Sequence, residues 1–370
     1  MKIGILTLPL GTNYGGILQA YALQTVLERM GHEVVVVDKD RYLPSDLYHQ
    51  TRSCISSVLH GFKGKTNWAY NRSKKEREKY TRAFIDKNIN IIKVKDMARE
   101  YPKDVDAIIV GSDQIWRRQY FCEMIGGGIE NAFLSFTKGW EIKRLSYAAS
   151  FGTDDWEYMD EETERCKQSI QLFDAVGVRE SAGKELCNKN LGRSDSKHVL
   201  DPTLLLTKED YQGLIDKSKV QKSEGNLMVY LLDDSSEKNE LVKLIAKDRC
   251  LKPFRTNQSD DIFKDNAKAS QPPLEKWLRG FMDADFVVTD SFHACIFSII
   301  FNKPFVVVGN AKRGMSRFDS LLSMFSLQDH LLLNEKDYNS QNSYIISASA
   351  YKELDKLKKD SMHFISEALK

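Results

Sequence analysis

Residues 283–305 (DADFVVTDSFHACIFSIIFNKPF) constrain the chain most, because an apolar run stops there at a polar cluster and restarts at helical spacing. Phe286, Val287 and Val288 read as a buried strand. Thr289, Asp290 and Ser291 supply turn and cap groups, and Cys295, Ile296, Ile299 and Ile300 mark one face of a following helix. His293 falls between strand and helix. A side chain there stands at the carboxyl edge of a strand and at a helix amino terminus, where open α/β sheets place ligands and where free amides attract anions. A histidine that merely caps or packs would look the same alone, so its standing depends on the rest of the chain.

A chain of 370 residues exceeds the size at which a single core usually stops growing, so two domains are expected, and 42% hydrophobic residues are ample for two cores. A net charge of +2, with both signs interspersed, argues against nucleic-acid binding. The six cysteines lie far apart, with no CxxC pair and no histidines at ligand spacing, which reads as reduced cytosolic thiols with neither a disulfide frame nor a metal site. The opening MKIGILTL is too short an apolar run for a signal peptide, and no segment is long and apolar enough to span a bilayer. A cytoplasmic location is expected, with attachment at the inner face of the membrane left open.

From the start, residues 3–8 form an apolar strand, and a turn-rich loop follows with Gly11, Asn13, Tyr14, Gly15 and Gly16. A helix then carries Leu18, Tyr21, Ala22, Val26 and Leu27 on one side and stops at Gly31. Residues 34–37 form a second strand ending at Asp38, completing a βαβ opening. The loop lacks GxGxxG, so no dinucleotide fingerprint is present. Its glycines admit a ligand close to the backbone and equally well turn the chain. Residues 42–102 form a basic, helical insertion, with 72–87 helical on Tyr80, Phe84 and Ile85 and 55–62 amphipathic. That insertion reads as a solvated excursion, or as a cationic surface for peripheral contact with anionic lipid.

Later strands exit at Gly111-Ser112-Asp113, Ser150-Phe151-Gly152 and Arg179-Glu180-Ser181, tips that cluster on one edge if the strands are parallel. The expected organisation is a Rossmann-like domain over 1–197, a second over 198–345 and a terminal helix over 346–370. Asp104 to Ser112 (DVDAIIVGS) echoes Asp283 to Ser291 (DADFVVTDS), consistent with two related halves.

Seven signals occur in order: Asn13-Tyr14-Gly15-Gly16, LQAYALQ (18–24), VGSDQIW (110–116), SYAASFG (146–152), Val178-Arg179-Glu180, Leu200-Asp201-Pro202-Thr203 and Thr289-Asp290-Ser291-Phe292-His293. On that ordered set the chain resembles the polysaccharide pyruvyltransferase family from its first strand to about residue 325. The resemblance implies an α/β fold of two Rossmann-like domains in a GT-B-like arrangement with the active site in the cleft between them. It implies transfer of the enolpyruvyl carbons of phosphoenolpyruvate to a sugar of a glycan or lipid-linked saccharide acceptor, giving a pyruvate ketal and phosphate without a cofactor. It places the catalytic pair at His293 and Arg179. Substrate contacts fall to Asn13, Tyr14 and Gly15 in the first loop, to Ser291, and to Lys312, Arg313 or Arg317 after the last strand. Many members carry an acid in the first loop, which this chain lacks.

The residues suit that chemistry. Phosphoenolpyruvate carries a carboxylate and a phosphate, and its methylene carbon must be protonated, so the site needs cations and an acid. Arg179 can grip an anion through two donors, and His293 exchanges a proton near neutral pH, as acid to the carbon or as base to the sugar hydroxyl. The same fold also suits a nucleotide-sugar glycosyltransferase or a non-catalytic glycan-binding protein, since fold does not fix function.

Overall fold

The computed structural model describes residues 1–39, 67–233, 235–257, 270–309 and 315–370, the side chains of 67–74 and 335 excepted. The 55–62 segment, Lys312 and Arg313 lie outside the described residues. The first part of the chain runs β1 (Lys2–Leu6), α1 (Tyr14–Arg29), β2 (Glu33–Lys39), α2 (Asn67–Asn88), β3 (Ile91–Val94), α3 (Met97–Glu100), β4 (Ala107–Val110), α4 (Arg118–Met124), β5 (Lys143–Ala149), α5 (Asp160–Ile170), β6 (Ala175–Val178), α6 (Ser181–Leu191) and β7 (Lys197–His198). Its strands form a parallel sheet in the order β3-β2-β1-β4-β5-β6-β7. The second part runs α7 (Lys208–Ser218), β8 (Leu227–Tyr230), α8 (Ser236–Asp248), β9 (Pro253–Arg255), α9 (Leu274–Asp283), β10 (Phe286–Thr289), α10 (Phe292–Ile300), β11 (Phe305–Val308), α11 (Ser316–Met324), β12 (Leu331–Leu332) and α12 (Ala348–Leu369). Its parallel sheet has the order β12-β11-β10-β8-β9. These are two doubly wound, Rossmann-like α/β domains.

Local chemistry accounts for the elements that matter to the site. Parallel strands are covered on both faces, which is why β4, β8, β10 and β11 read as unbroken apolar runs and are buried throughout. Asn13 caps α1 by accepting a hydrogen bond from the Gly16 amide at 3.2 Å, and Gly31, at φ +87°, turns the chain out beyond Met30. The echoing segments fall on β4 and β10, each lying beside the first strand of its own sheet, β1 and β8. The expected insertion ends sooner than 102: residues 91–94 are β3, paired to β2 with Ile91 opposite Val36. Phe84 and Ile85 on α2 are buried as expected, whereas Tyr80 is 41% exposed because its side of the helix faces outward.

One apolar cluster runs from β1 and α1 through α9 and α10, joining the two domains. At its centre Trp277, 0% exposed, has its ring 5.5 Å from Tyr14, 5.4 Å from Tyr230, 4.7 Å from Phe281 and 5.0 Å from Phe297. The chain then crosses back. Helix α12 lies on the first sheet, where Ser361 accepts from the Leu200 amide at 3.0 Å and Phe364 fills the space left open by Gly177. Trp277→Ala should therefore cost about 3–5 kcal/mol, read as a lower urea midpoint, and an unchanged midpoint would mean that this seam carries no stability.

Candidate active site

In each sheet the strand order reverses once, between β1 and β4 in the first and between β8 and β10 in the second. A crevice opens at such a reversal, because neighbouring loops leave in opposite directions. The β1 and β4 exits bring Thr7, Asn13, Ser112 and Asp113, and the β10 exit brings Asp290, Ser291 and His293. The β5 and β6 exits are tied to them: the Ser150 amide donates to the Asp113 carbonyl at 3.0 Å, and the Phe151 amide to Glu180 Oε1 at 2.8 Å. The strand tips thus share one edge, as parallel pairing requires.

The centre of this edge is Asp201, only 3% exposed, on the segment that leaves β7. Its Oδ1 accepts from the Thr203 amide at 3.0 Å and the Thr203 hydroxyl at 2.6 Å. Its Oδ2 faces three groups: Ser112 Oγ at 3.3 Å, Arg179 NH1 at 3.3 Å and His293 Nε2 at 3.6 Å. Burial pushes the Asp201 carboxyl up, but the His293 contact and charge, the Arg179 charge and the Thr203 hydroxyl together outweigh it, so the group lies well below the usual carboxylate range. It is an ionised carboxylate hydrogen-bonded by Ser112, Arg179 and Thr203, with His293 facing it.

Arg179 is 4% exposed and leaves β6 into the cleft. Besides Asp201, it faces Asp113 Oδ1 at 3.5 Å from NH2 and Glu180 Oε2 at 4.0 Å from Nε. Those are ion-pair distances, and Nε and NH2 are buried without a hydrogen-bond partner. Its guanidinium lies 4.7 Å from the centre of the Phe292 ring, and that of Arg317 lies 5.6 Å from the same ring. Burial first, then the Arg179 charge, pushes Arg317 down to about 10, opposed by Asp113 and Glu180.

His293 is the second residue of α10 and 7% exposed. Its Nε2 is buried and makes no hydrogen bond at the 3.6 Å separation from Asp201. The ring's other edge lies on Gly15: a Cβ built there would stand 2.1 Å from Nδ1. Gly15, His293, Arg179 and Arg317 are therefore gathered in one place. Ser291 precedes α10 and spends its amide on Thr289 Oγ1 at 3.0 Å. Asn13 is exposed at the head of α1, next to the cluster, since a Cβ at Gly16 would meet both Asn13 and Asp113 Oδ2, the latter at 3.4 Å.

Tyr14 is not brought to the cleft. It is the first residue of α1, which turns its ring inward against Trp277 and Tyr230, and its hydroxyl donates to the Pro272 carbonyl at 2.6 Å. Sequence reasoning also missed Asp201, Ser112, Thr203 and Phe292 as site groups, although three of the four stand inside the recognised motifs 110–116 and 200–203 and Phe292 directly precedes His293. Asp113 stands by Gly16, beside the first loop. Asp38 is paired with Arg82 at 3.3 Å and with the Leu10 amide at 3.3 Å, so it serves the loop's shape. Among the described residues no group of three or more His, Cys, Asp or Glu side chains could hold a metal ion. Among the described residues, two cavities, of about 480 Å³ under α12 and about 450 Å³ beside α8, are lined by neither His293 nor Asp201.

The polysaccharide pyruvyl transferase family model matches residues 13–312, and the chain belongs to that family. No match is found among curated proteins. Solved structures similar in fold include the UDP-GlcNAc 2-epimerase from Neisseria meningitidis bound to UDP-GlcNAc, at 10% identity and TM-score 0.49 over 100% of this chain and 99% of that one. UGT89C1 of Arabidopsis thaliana complexed with quercetin is 8% identical, with TM-score 0.46 over 99% and 93% of the two chains.

Gly15→Ala should then disable the site without unfolding the domain. The new Cβ would stand 2.1 Å from His293 Nδ1 and 2.8 Å from its Cβ, so the ring must leave its place. Turnover is expected to fall roughly 100-fold or more, with the circular-dichroism melt little changed; full activity would show that the His293 placement does not matter.

Proposed function

We propose that the protein transfers the enolpyruvyl carbons of phosphoenolpyruvate to a hydroxyl pair on a sugar of a glycan or lipid-linked glycan precursor, forming a pyruvate ketal and releasing phosphate. The observation that carries this reading is Arg179, buried beside His293 with two N–H donors unmatched by any hydrogen bond. Buried donors without partners are costly, and an anion that accepts from them removes that cost. The donor has two anionic groups, and Arg179 and Arg317 present two guanidiniums to the same Phe292 ring.

The chemistry runs through a single proton carrier. A proton reaches the methylene carbon, a sugar hydroxyl adds to the neighbouring carbon, and the second hydroxyl displaces phosphate, which departs against the guanidiniums. His293 carries that proton, with Ser291, Asn13 and Gly15 lining the approach from either side. Family membership supports a glycan acceptor. Phosphoenolpyruvate is a cytoplasmic metabolite, so the reaction belongs in the cytoplasm, at the inner membrane face where the acceptor is lipid-linked. Among the described residues no helix is long and apolar enough to cross a membrane.

Incubation with phosphoenolpyruvate and a panel of saccharide acceptors should release phosphate only when both are present. His293→Ala should lower that turnover by roughly 10²–10⁴-fold, and Arg179→Lys should raise the KM for phosphoenolpyruvate and not that for the acceptor. Nucleoside diphosphate released from a nucleotide sugar, with no phosphate released from phosphoenolpyruvate, would replace this reading with a glycosyltransferase.

A further inference from the structure

We infer that Asp201 is a positioning residue for the transfer, holding the His293 ring by its Nε2 edge so that Nδ1 delivers the proton as an acid. The inference about Nδ1 delivery rests on the proposed donor chemistry; the placement of the ring does not.

The carboxylate is suited to hold rather than to react. Oδ1 is anchored on its own turn by the Thr203 amide and hydroxyl, at 3.0 and 2.6 Å, which fixes where Oδ2 stands. Oδ2 then meets Ser112 Oγ and Arg179 NH1, both at 3.3 Å, and His293 Nε2 at 3.6 Å. An ionised carboxylate only accepts, so the nitrogen facing it carries the hydrogen in the neutral ring. Nδ1 lies at the opposite edge, against Gly15, where the chain has no Cβ.

Among the described residues the charged groups of this cluster are Asp201, which faces His293, Arg179, which faces Asp201, Asp113 from the β4 exit and Glu180, and Arg317 from α11, which shares the Phe292 ring with Arg179. All five are buried. A protonated ring breaks its Nδ1–H bond, and the π pair of the donor takes that proton to form the methyl group. The first sugar hydroxyl bonds to the adjacent carbon and returns its proton to Nδ1. The second displaces phosphate, and its proton leaves with the phosphate, so atoms and charge balance.

Two measurements test this. In the free protein, imidazole nitrogen NMR at alkaline pH, with His293 assigned by its loss in His293→Ala, should show the neutral ring protonated on Nε2. Hydrogen on Nδ1 would overturn the proposal whether or not Asp201→Asn folds, and independently of whether phosphoenolpyruvate is the donor. In the transfer assay Asp201→Asn should lower kcat by roughly 10²–10⁴-fold. The same substitution in a His293→Ala background should lower kcat no further. An undiminished cost in that background would mean that Asp201 does not act through His293.

Discussion

A carboxylate ion buried away from water is tolerable only where donors surround it, and that requirement at Asp201 shapes the whole cleft. The donors come from three separated places in the chain: the turn after β7, the exit of β4 and the exit of β6. Two of them converge on Oδ2, which His293 Nε2 at the head of α10 also faces at 3.6 Å. The strand exits of both sheets are thus directed to the same point. An apolar side chain at 201 would remove this requirement and with it the reason for Arg179 and His293 to stand together.

The apolar seam beside the cluster serves the same end. Tyr14, Tyr230 and Trp277 close the interface near His293, and Phe292 and Phe318 pack on its other side. Excluding water lowers the local dielectric, and every charge interaction within the cluster becomes stronger. The glycine at 15 completes the closure. With no Cβ it lets α1 approach the imidazole edge-on, bringing the first domain's helix terminus against the second domain's histidine.

What could be read in the sequence was what is local. Apolar runs ending in polar residues located β4, β6 and β10 and, with them, Asp113, Arg179 and His293, because a strand exit is written in a few consecutive residues. Asp201 escaped because Asp-Pro-Thr reads as a turn, and the Thr203 contacts to Oδ1 make it one; the contacts to Ser112, Arg179 and His293 span 89, 22 and 92 positions, the last from the numbering of the two residues. Tyr14 misled for the converse reason. A tyrosine in a glycine-rich loop invites a ligand role, but α1 begins at that residue, and helical geometry aims its ring at Trp277 and its hydroxyl at a carbonyl 258 positions away. Arg317 reads in the sequence as one of three cations that follow the last strand. It lies instead on α11, a helix anchored to the first domain where the Ser181 amide donates to Ser320 Oγ at 3.1 Å.

That anchoring explains how two guanidiniums share one aromatic ring. Arg179 and Arg317 repel each other, and burial adds to the cost of charging Arg317. The Phe292 face gives both cations a weak attractive surface, and Asp113, Glu180 and Asp201 offset the Arg179 charge while leaving its Nε and NH2 without a hydrogen bond. On the proposed donor chemistry, an anion entering the site would displace no strong hydrogen bond from Arg179 Nε or NH2 and would gain both, from donors that the fold has already desolvated and fixed in place.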